Sequence, residues 1–221
     1  MRILRVVDLS IPVDAAVQTY PGDPALEFLP HSTVERDGFN LLAVHMGTQT
    51  GTHVDAPFHF EDDAPTIEQV PLSTFLGPAV VADVQDVGAR APITTMHLAD
   101  VLPRVGPGSI VLLHTGWDRH RGTDAYFDHP YLDDAACAAL LDAGVRAIGI
   151  DAINLDETPD DDHPGVGFPV HHRIARAGGV ICENLTNLGS IDFDDAIVSL
   201  LPLAFQGTDG APVRAVAFQV G

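Results

Sequence analysis

Apolar residues along the chain fall into short blocks of four to nine positions, set apart by Gly, Pro and acidic turns. Residues 3–9, 79–84, 109–115, 147–151 and 180–183 read as strands, as do the apolar runs 197–205 and 213–220. Residues 40–46 alternate weakly and predict a strand running into Gly47-Thr48-Gln49-Thr50-Gly51-Thr52-His53-Val54-Asp55. The spacing predicts helices over 94–101, over 133–143 with Asp133 as N-cap and Gly144 at the C-terminus, and over 169–177 before Gly178 and Gly179. Tyr20-Pro21-Gly22-Asp23-Pro24 is a turn cluster, and Thr66 caps a short helical piece that Pro71 breaks. Alternating helices and strands in the middle of the chain predict an α/β fold whose late strands run antiparallel.

One segment carries more chemistry than its pattern requires. In Gly51-Thr52-His53-Val54-Asp55-Ala56-Pro57-Phe58-His59-Phe60, His53 and Asp55 are two apart and project from one face of an extended strand. Imidazole and carboxylate together are a ligand pair for Zn²⁺ or Mn²⁺. Pro57 bends the chain so that His59 can return to the same pocket, and Gly51 permits a close approach or an unusual dihedral before the pair. Gln49, four before His53, offers a weak metal ligand or a hydrogen bond to substrate. A centre of this kind needs ligands from elsewhere. His171-His172 opens a helix, and Glu183 ends the apolar run Val180-Ile181-Cys182, where a carboxylate requires a partner. That partner is an arginine or a metal. Helix-start capping is the alternative role for either histidine.

Charge and composition narrow the field. The 221 residues, 46% of them apolar, suit a single domain spanning 1–221. The formal net charge of -20 repels phosphate backbones and anionic lipid, so neither nucleic acid nor membrane is an expected partner. Cys137 and Cys182 make no disulfide framework, and residues 1–8 lack a leader's long apolar region, which points to the cytoplasm. There is no Gly-x-Ser-x-Gly elbow, no P-loop and no dinucleotide fingerprint to compete with the histidine cluster. The run Asp160-Asp161-Asp162 reads as a solvated loop.

The signature from Gly51 to Phe60 closely resembles that of the cyclase-like metal-dependent hydrolases, a family that includes bacterial kynurenine formamidases, isatin hydrolases and enzymes described as polyketide cyclases. The similarity extends through Asp8-Leu9-Ser10, Tyr20-Pro21-Gly22-Asp23-Pro24, Pro71-Leu72, Gly77-Pro78-Ala79, Leu112-Leu113-His114-Thr115-Gly116-Trp117, Gly149-Ile150-Asp151 and Glu183-Asn184-Leu185. It implies an α/β domain with a mixed sheet and flanking helices, assembled as a homo-oligomer. It also implies that His53, Asp55, His171 and Glu183 bind Zn or Mn, one ion or two, and that His59 is the acid/base residue, with His172 the neighbour that could replace His171 in the match. The chain departs from the signature at Gln49, where the family has a histidine. His45 cannot stand in, since an extended strand carries it roughly 26 Å from His53.

The activity so implied is cleavage of an aryl formamide of the N-formylkynurenine type, as in tryptophan catabolism, or of a cyclic amide. A small aromatic substrate would meet Tyr20, Phe58, Phe60, Trp117 and Phe168, which otherwise are ordinary core. Two alternatives stand beside it. One is a polyketide-type cyclase or dehydratase using the same metal; the other is a binding protein whose metal site Gln49 has impaired.

Overall fold

The computed structural model describes residues 2–221; Met1, the first residue of the stretch searched for a leader, lies outside them. In chain order the strands are β1 (Ile3–Asp8), β2 (Glu27–Ser32), β3 (Leu41–His45), β4 (His53–Asp55), β5 (Leu76–Asp83), β6 (Pro92–Ile93), β7 (Ile110–His114), β8 (Tyr131–Leu132), β9 (Ala147–Ile150), β10 (Val180–Glu183), β11 (Ile197–Ser199), β12 (Gly210–Pro212) and β13 (Val216–Val220). The helices are α1 (Val34–Asp37), α2 (Asp134–Asp142) and α3 (Pro169–Arg176).

Nine strands form one mixed sheet in the order β1-β13-β11-β5-β7-β9-β10-β4-β12. Its centre, β5-β7-β9-β10, is parallel, and the strands on both flanks pair antiparallel. The mixed α/β architecture expected from the sequence is therefore present. Side chains alternate between two cores across this sheet. In β7, Val111 and Leu113 pack on one face, where α2 and α3 contribute Ala136, Cys137, Leu140, Val170 and Ile174. Ile110 and Leu112 pack on the other, with Phe75, Leu188 and Val54. A run that is apolar at successive positions is what burial on both faces demands. Both cysteines are free and buried.

Asp133 caps α2 as the pattern predicts, accepting from the backbone N–H groups of Ala135 and Ala136. Two expectations are corrected. Residues 94–101 form no α-helix: they turn through three-residue hydrogen bonds such as Val101 N to Leu98 O, because only Leu98 and Val101 of the segment are buried and Pro103 follows at once. The strand expected over 197–205 ends at Ser199, since Pro202 interrupts it and makes only an isolated bridge to Val213. The run 213–220 keeps its ordered pairing only from Val216. A hairpin of β2 and β3, whose first strand the sequence pattern misses, stands off the main sheet. Among the described residues no helix is long and apolar enough to cross a membrane.

Candidate metal centre

Strand register builds most of the site. β4 lies antiparallel beside β10 with His53 opposite Glu183 and Asp55 opposite Ile181. Residues opposite one another share a face, and positions two apart share a face, so His53, Asp55 and Glu183 all point to the helix side of the sheet. Val54 and Cys182, between them, point into the other core. On the helix side α3 delivers His171 from its first turn. The four side chains are almost fully enclosed.

Their ligand atoms converge. His53 Nε2 lies 3.4 Å from Asp55 Oδ1 and 3.6 Å from Glu183 Oε2. His171 Nε2 lies 3.3 Å from Glu183 Oε1 and 3.8 Å from Asp55 Oδ2. Among the described residues, His53 Nε2 and Asp55 Oδ1 are buried with no hydrogen-bond partner. Buried polar atoms without partners are costly and call for an occupant. His53, Asp55 and Glu183 each bring a ligand atom within 4.8 Å of the other two, a donor set that suits a divalent cation, and His171 meets both of its carboxylates. Glu183 meets the two imidazoles and the Leu155 backbone N–H, which donates to Oε1 at 2.7 Å; an arginine partner is not what buries it.

Both imidazoles are oriented from behind. His53 Nδ1 is 2.9 Å from the Gly51 carbonyl, and this bond sends Nε2 into the cluster. Gly51 earns its place: its φ is +73°, and a Cβ there would come within 2.6 Å of Val13 Cγ2. His171 Nδ1 lies 2.7 Å from Asp156 Oδ2. The same carboxylate accepts from the backbone N–H groups of Val170 and His171, so one residue caps α3 and fixes its histidine. Burial opposes charge on both rings, yet the carboxylates outweigh it. Asp55 and Glu183 raise His53 to about 9, and Asp156 and Glu183 raise His171 to about 10. Asp55 is held low by His53 against the opposing effect of its burial.

His172 points elsewhere. Its Nδ1 meets Glu61 Oε1 at 3.0 Å on the surface, so of the adjacent histidines it is His171 that lies against the carboxylates of the cluster. His59 follows the turn at Pro57 and lines the same pocket, with Nδ1 3.2 Å from Asp209 Oδ2. Burial opposes its charge but Asp209 raises its pKa, while the His59 contact brings Asp209 down to about 2. Gln49 lines the pocket with its amide turned to Thr48 and Asp209.

Aromatic rings wall one side. Phe60 packs 4.5 Å from the His171 ring and 5.4 Å from Phe168, and Phe168 meets Tyr20 edge-on. Phe58 and Trp117 do not line this pocket; Trp117 packs in the helix-side core and donates Nε1–H to the Ala125 carbonyl. Asp23, Asn154 and Asn184 complete the lining. Asn154, Asp156 and Asp209 do not stand out in the sequence, and Asp23 and Asn184 fall inside quoted motifs without being singled out as site residues. The turn cluster around Pro21 was a signal for Asp23, and a buried histidine's need for a second partner was one for Asp156.

A mixed α/β sheet with a buried histidine–carboxylate centre beside an aromatic wall defines the class. Within it the affiliation is specific. Residues 7–157 match the Cyclase family model, described as "Putative cyclase". The chain is 30% identical over 220 residues to the kynurenine formamidase of Bacillus mycoides (strain KBAB4), covering 98% of each chain. Isatin hydrolase A from Ralstonia solanacearum superposes with a TM-score of 0.85 at 25% identity, over 98% of this chain and 92% of that one. A structure described as a potential metal-dependent hydrolase with cyclase activity superposes with a TM-score of 0.78 at 26% identity, over 98% of both. The chain belongs to the cyclase family.

Proposed function

We propose that this protein is a metal-dependent hydrolase that cleaves an aryl formamide or a cyclic aryl amide. The observation that carries the reading is the pair of orphaned buried atoms, His53 Nε2 and Asp55 Oδ1, facing Glu183 and His171 at the floor of an aromatic-walled pocket. His53, Asp55, His171 and Glu183 hold the ion, zinc or manganese. When bound, such an ion supplies Lewis acidity toward a carbonyl and makes water acidic enough to act as nucleophile near neutral pH. Gly51 and Asp156 keep the two Nε2 atoms aimed at it. His59, held at Nδ1 by Asp209, lines the pocket with Nε2 free of a protein hydrogen bond among the described residues, and there takes a proton and returns it to the leaving nitrogen. Phe60, Phe168 and Tyr20 stack on the aryl ring and exclude water around the amide. The names of the relatives, kynurenine formamidase and isatin hydrolase, support this substrate class.

The test is turnover of N-formylkynurenine and of isatin by protein of measured metal content, before and after chelation. Metal-dependent hydrolysis of either supports the reading. Loss of neither activity nor structure on complete metal removal, or turnover only of a polyketide-like substrate, overturns it.

We further propose that the protein acts as a homo-oligomer. Every residue of β3 is exposed, and the β2–β3 hairpin presents Phe28, Leu29, Leu41, Leu42 and Val44 to solvent. A two-stranded hairpin is marginal by itself, so a second copy is its natural cover. Light scattering is expected to give a multiple of 23.5 kDa, and Leu29→Lys with Leu42→Glu to lower that mass.

A further inference from the structure

The carboxylate of Asp209 is bound by three side chains at once, and one of them is His59. Oδ2 accepts from His59 Nδ1 and from Gln49 Nε2, each at 3.2 Å, while Thr48 Oγ1 lies 2.8 Å from Oδ1. Thr48 Oγ1 is also 2.7 Å from Gln49 Oε1, so its single proton is shared between two acceptors. An ionised carboxylate only accepts, so the amide of Gln49 must turn Nε2 toward it. That leaves the amide engaged with Asp209 and Thr48.

The backbone beneath is pinned as firmly. The Asp209 carbonyl accepts from Ala56 N–H at 2.8 Å, and the Thr208 carbonyl accepts from Ile67 N–H at 3.0 Å. Residue 210 has to be glycine, because a Cβ would sit 2.7 Å from the Val54 carbonyl oxygen and 2.8 Å from Gln49 Nε2. Asp209 is thus anchored on the residue that follows Asp55, at the head of the turn carrying His59.

We propose that Asp209 is the positioning residue of His59, with Gln49 and Thr48 as its braces: the carboxylate fixes the ring through Nδ1 and leaves Nε2 facing the pocket. The proposal rests on the hydrolase reading for its consequence in catalysis and on geometry for the contact. A carboxylate behind a histidine selects the tautomer with the proton on the contacted nitrogen, sets the ring's orientation and stabilises the imidazolium that forms in proton transfer. In this arrangement Gln49 serves the proton-transfer side of the site through a neutral donor.

The experiment is Asp209→Asn in zinc-loaded protein, with Asp209→Glu and Gln49→Leu beside it. The His59 titration followed by NMR is expected to move to lower pH in Asp209→Asn, since the charge favouring imidazolium is gone. kcat is expected to fall about 10- to 100-fold with KM within about twofold, on the scale of losing a partner of a general acid–base group. Bound zinc should remain at the wild-type level. Asp209→Glu should recover part of kcat, and Gln49→Leu should show a smaller loss in the same direction. An unmoved His59 titration overturns the proposal, and so does loss of zinc from Asp209→Asn, which would assign the carboxylate to the metal. If the wild type cleaves neither an aryl formamide nor isatin, the hydrolase reading fails while the titration still decides the contact.

Discussion

The two halves of the pocket are built in different ways. His53, Asp55 and Glu183 stand on paired strands, and His171 in the first turn of a packed helix; their side chains are 3–7% exposed. His59 and Asp209 stand on turns, and their side chains are 29% and 36% exposed. The first set gathers acceptors and imidazoles in a dry place, with two atoms left unpartnered. The second set pairs His59 Nδ1 with Asp209 and stays partly exposed to solvent. Holding an ion needs fixed donors and little water, whereas moving a proton needs a group that can exchange it. Under the proposed function the difference separates the two tasks in space, and mutation can separate them in experiment.

The largest effect should come from the rigid half. His53→Ala removes an imidazole opposite Glu183 and should leave purified protein without bound metal, with turnover reduced to background; metal content by elemental analysis and a hydrolysis assay read this directly. The opposite half should answer differently. His59→Ala should retain its metal while losing roughly 10²–10⁴ in rate, the usual scale of general acid–base catalysis. A His59→Ala protein that comes out metal-free would erase the distinction between the halves.

The rigid half was also the more legible in sequence. His53-x-Asp55 announces itself because a strand's period of two puts both residues on one face, and Glu183 because a carboxylate after Val180-Ile181-Cys182 needs a partner. The strand blocks of the parallel centre were readable for a related reason: burial on both faces makes each a continuous apolar run. What sequence does not show is what depends on tertiary proximity alone. Asp156 opens a loop crowded with acidic residues, and nothing local distinguishes it from Asp160 to Asp162, although it reaches a histidine 15 positions away. Asp209 sits in Gly207-Thr208-Asp209-Gly210, which reads as turn chemistry, and it meets His59 across 150 positions. Of the β2–β3 hairpin only β2 escapes, because Pro30 argues against a strand and because its apolar residues lack the one-sided pattern that packing on this chain's own core would impose.

Asp156 offers a graded test of the rigid half. It contributes no atom to the cluster, yet it accepts from His171 Nδ1 and from two N–H groups at the start of α3. Asp156→Asn should weaken metal affinity by about 10- to 100-fold without abolishing it, the range seen when an orienting partner of a ligand is lost. Chelator competition measures this. A loss as complete as that of His53→Ala would make Asp156 part of the ion's own shell, and no change would mean that packing by Phe60 and Phe168 suffices to hold the ring.

The smallest effect belongs to the exposed half and has a sign set by titration. Asp209 sits near 2 and stays ionised from pH 5 to 9, so in that range only His59 changes charge within the pair. The pKa of His59 in the folded protein is raised above its ordinary value of 6.5. Its charged contact with Asp209 therefore stabilises the fold fully below pH 6.5 and loses that contribution as pH rises through the folded value. Comparing wild type with Asp209→Asn isolates this contribution, because the proposed metal ligands are common to both. Pairs this exposed contribute about 0.2–1 kcal/mol, which for a chain of this size is a Tm difference of no more than about 3 °C. The wild type's advantage in Tm should be largest near pH 6 and shrink toward pH 9. An advantage that grew with pH would mean that Asp209 stabilises the neutral ring more than the charged one, and the two halves would then share one electrostatic logic after all.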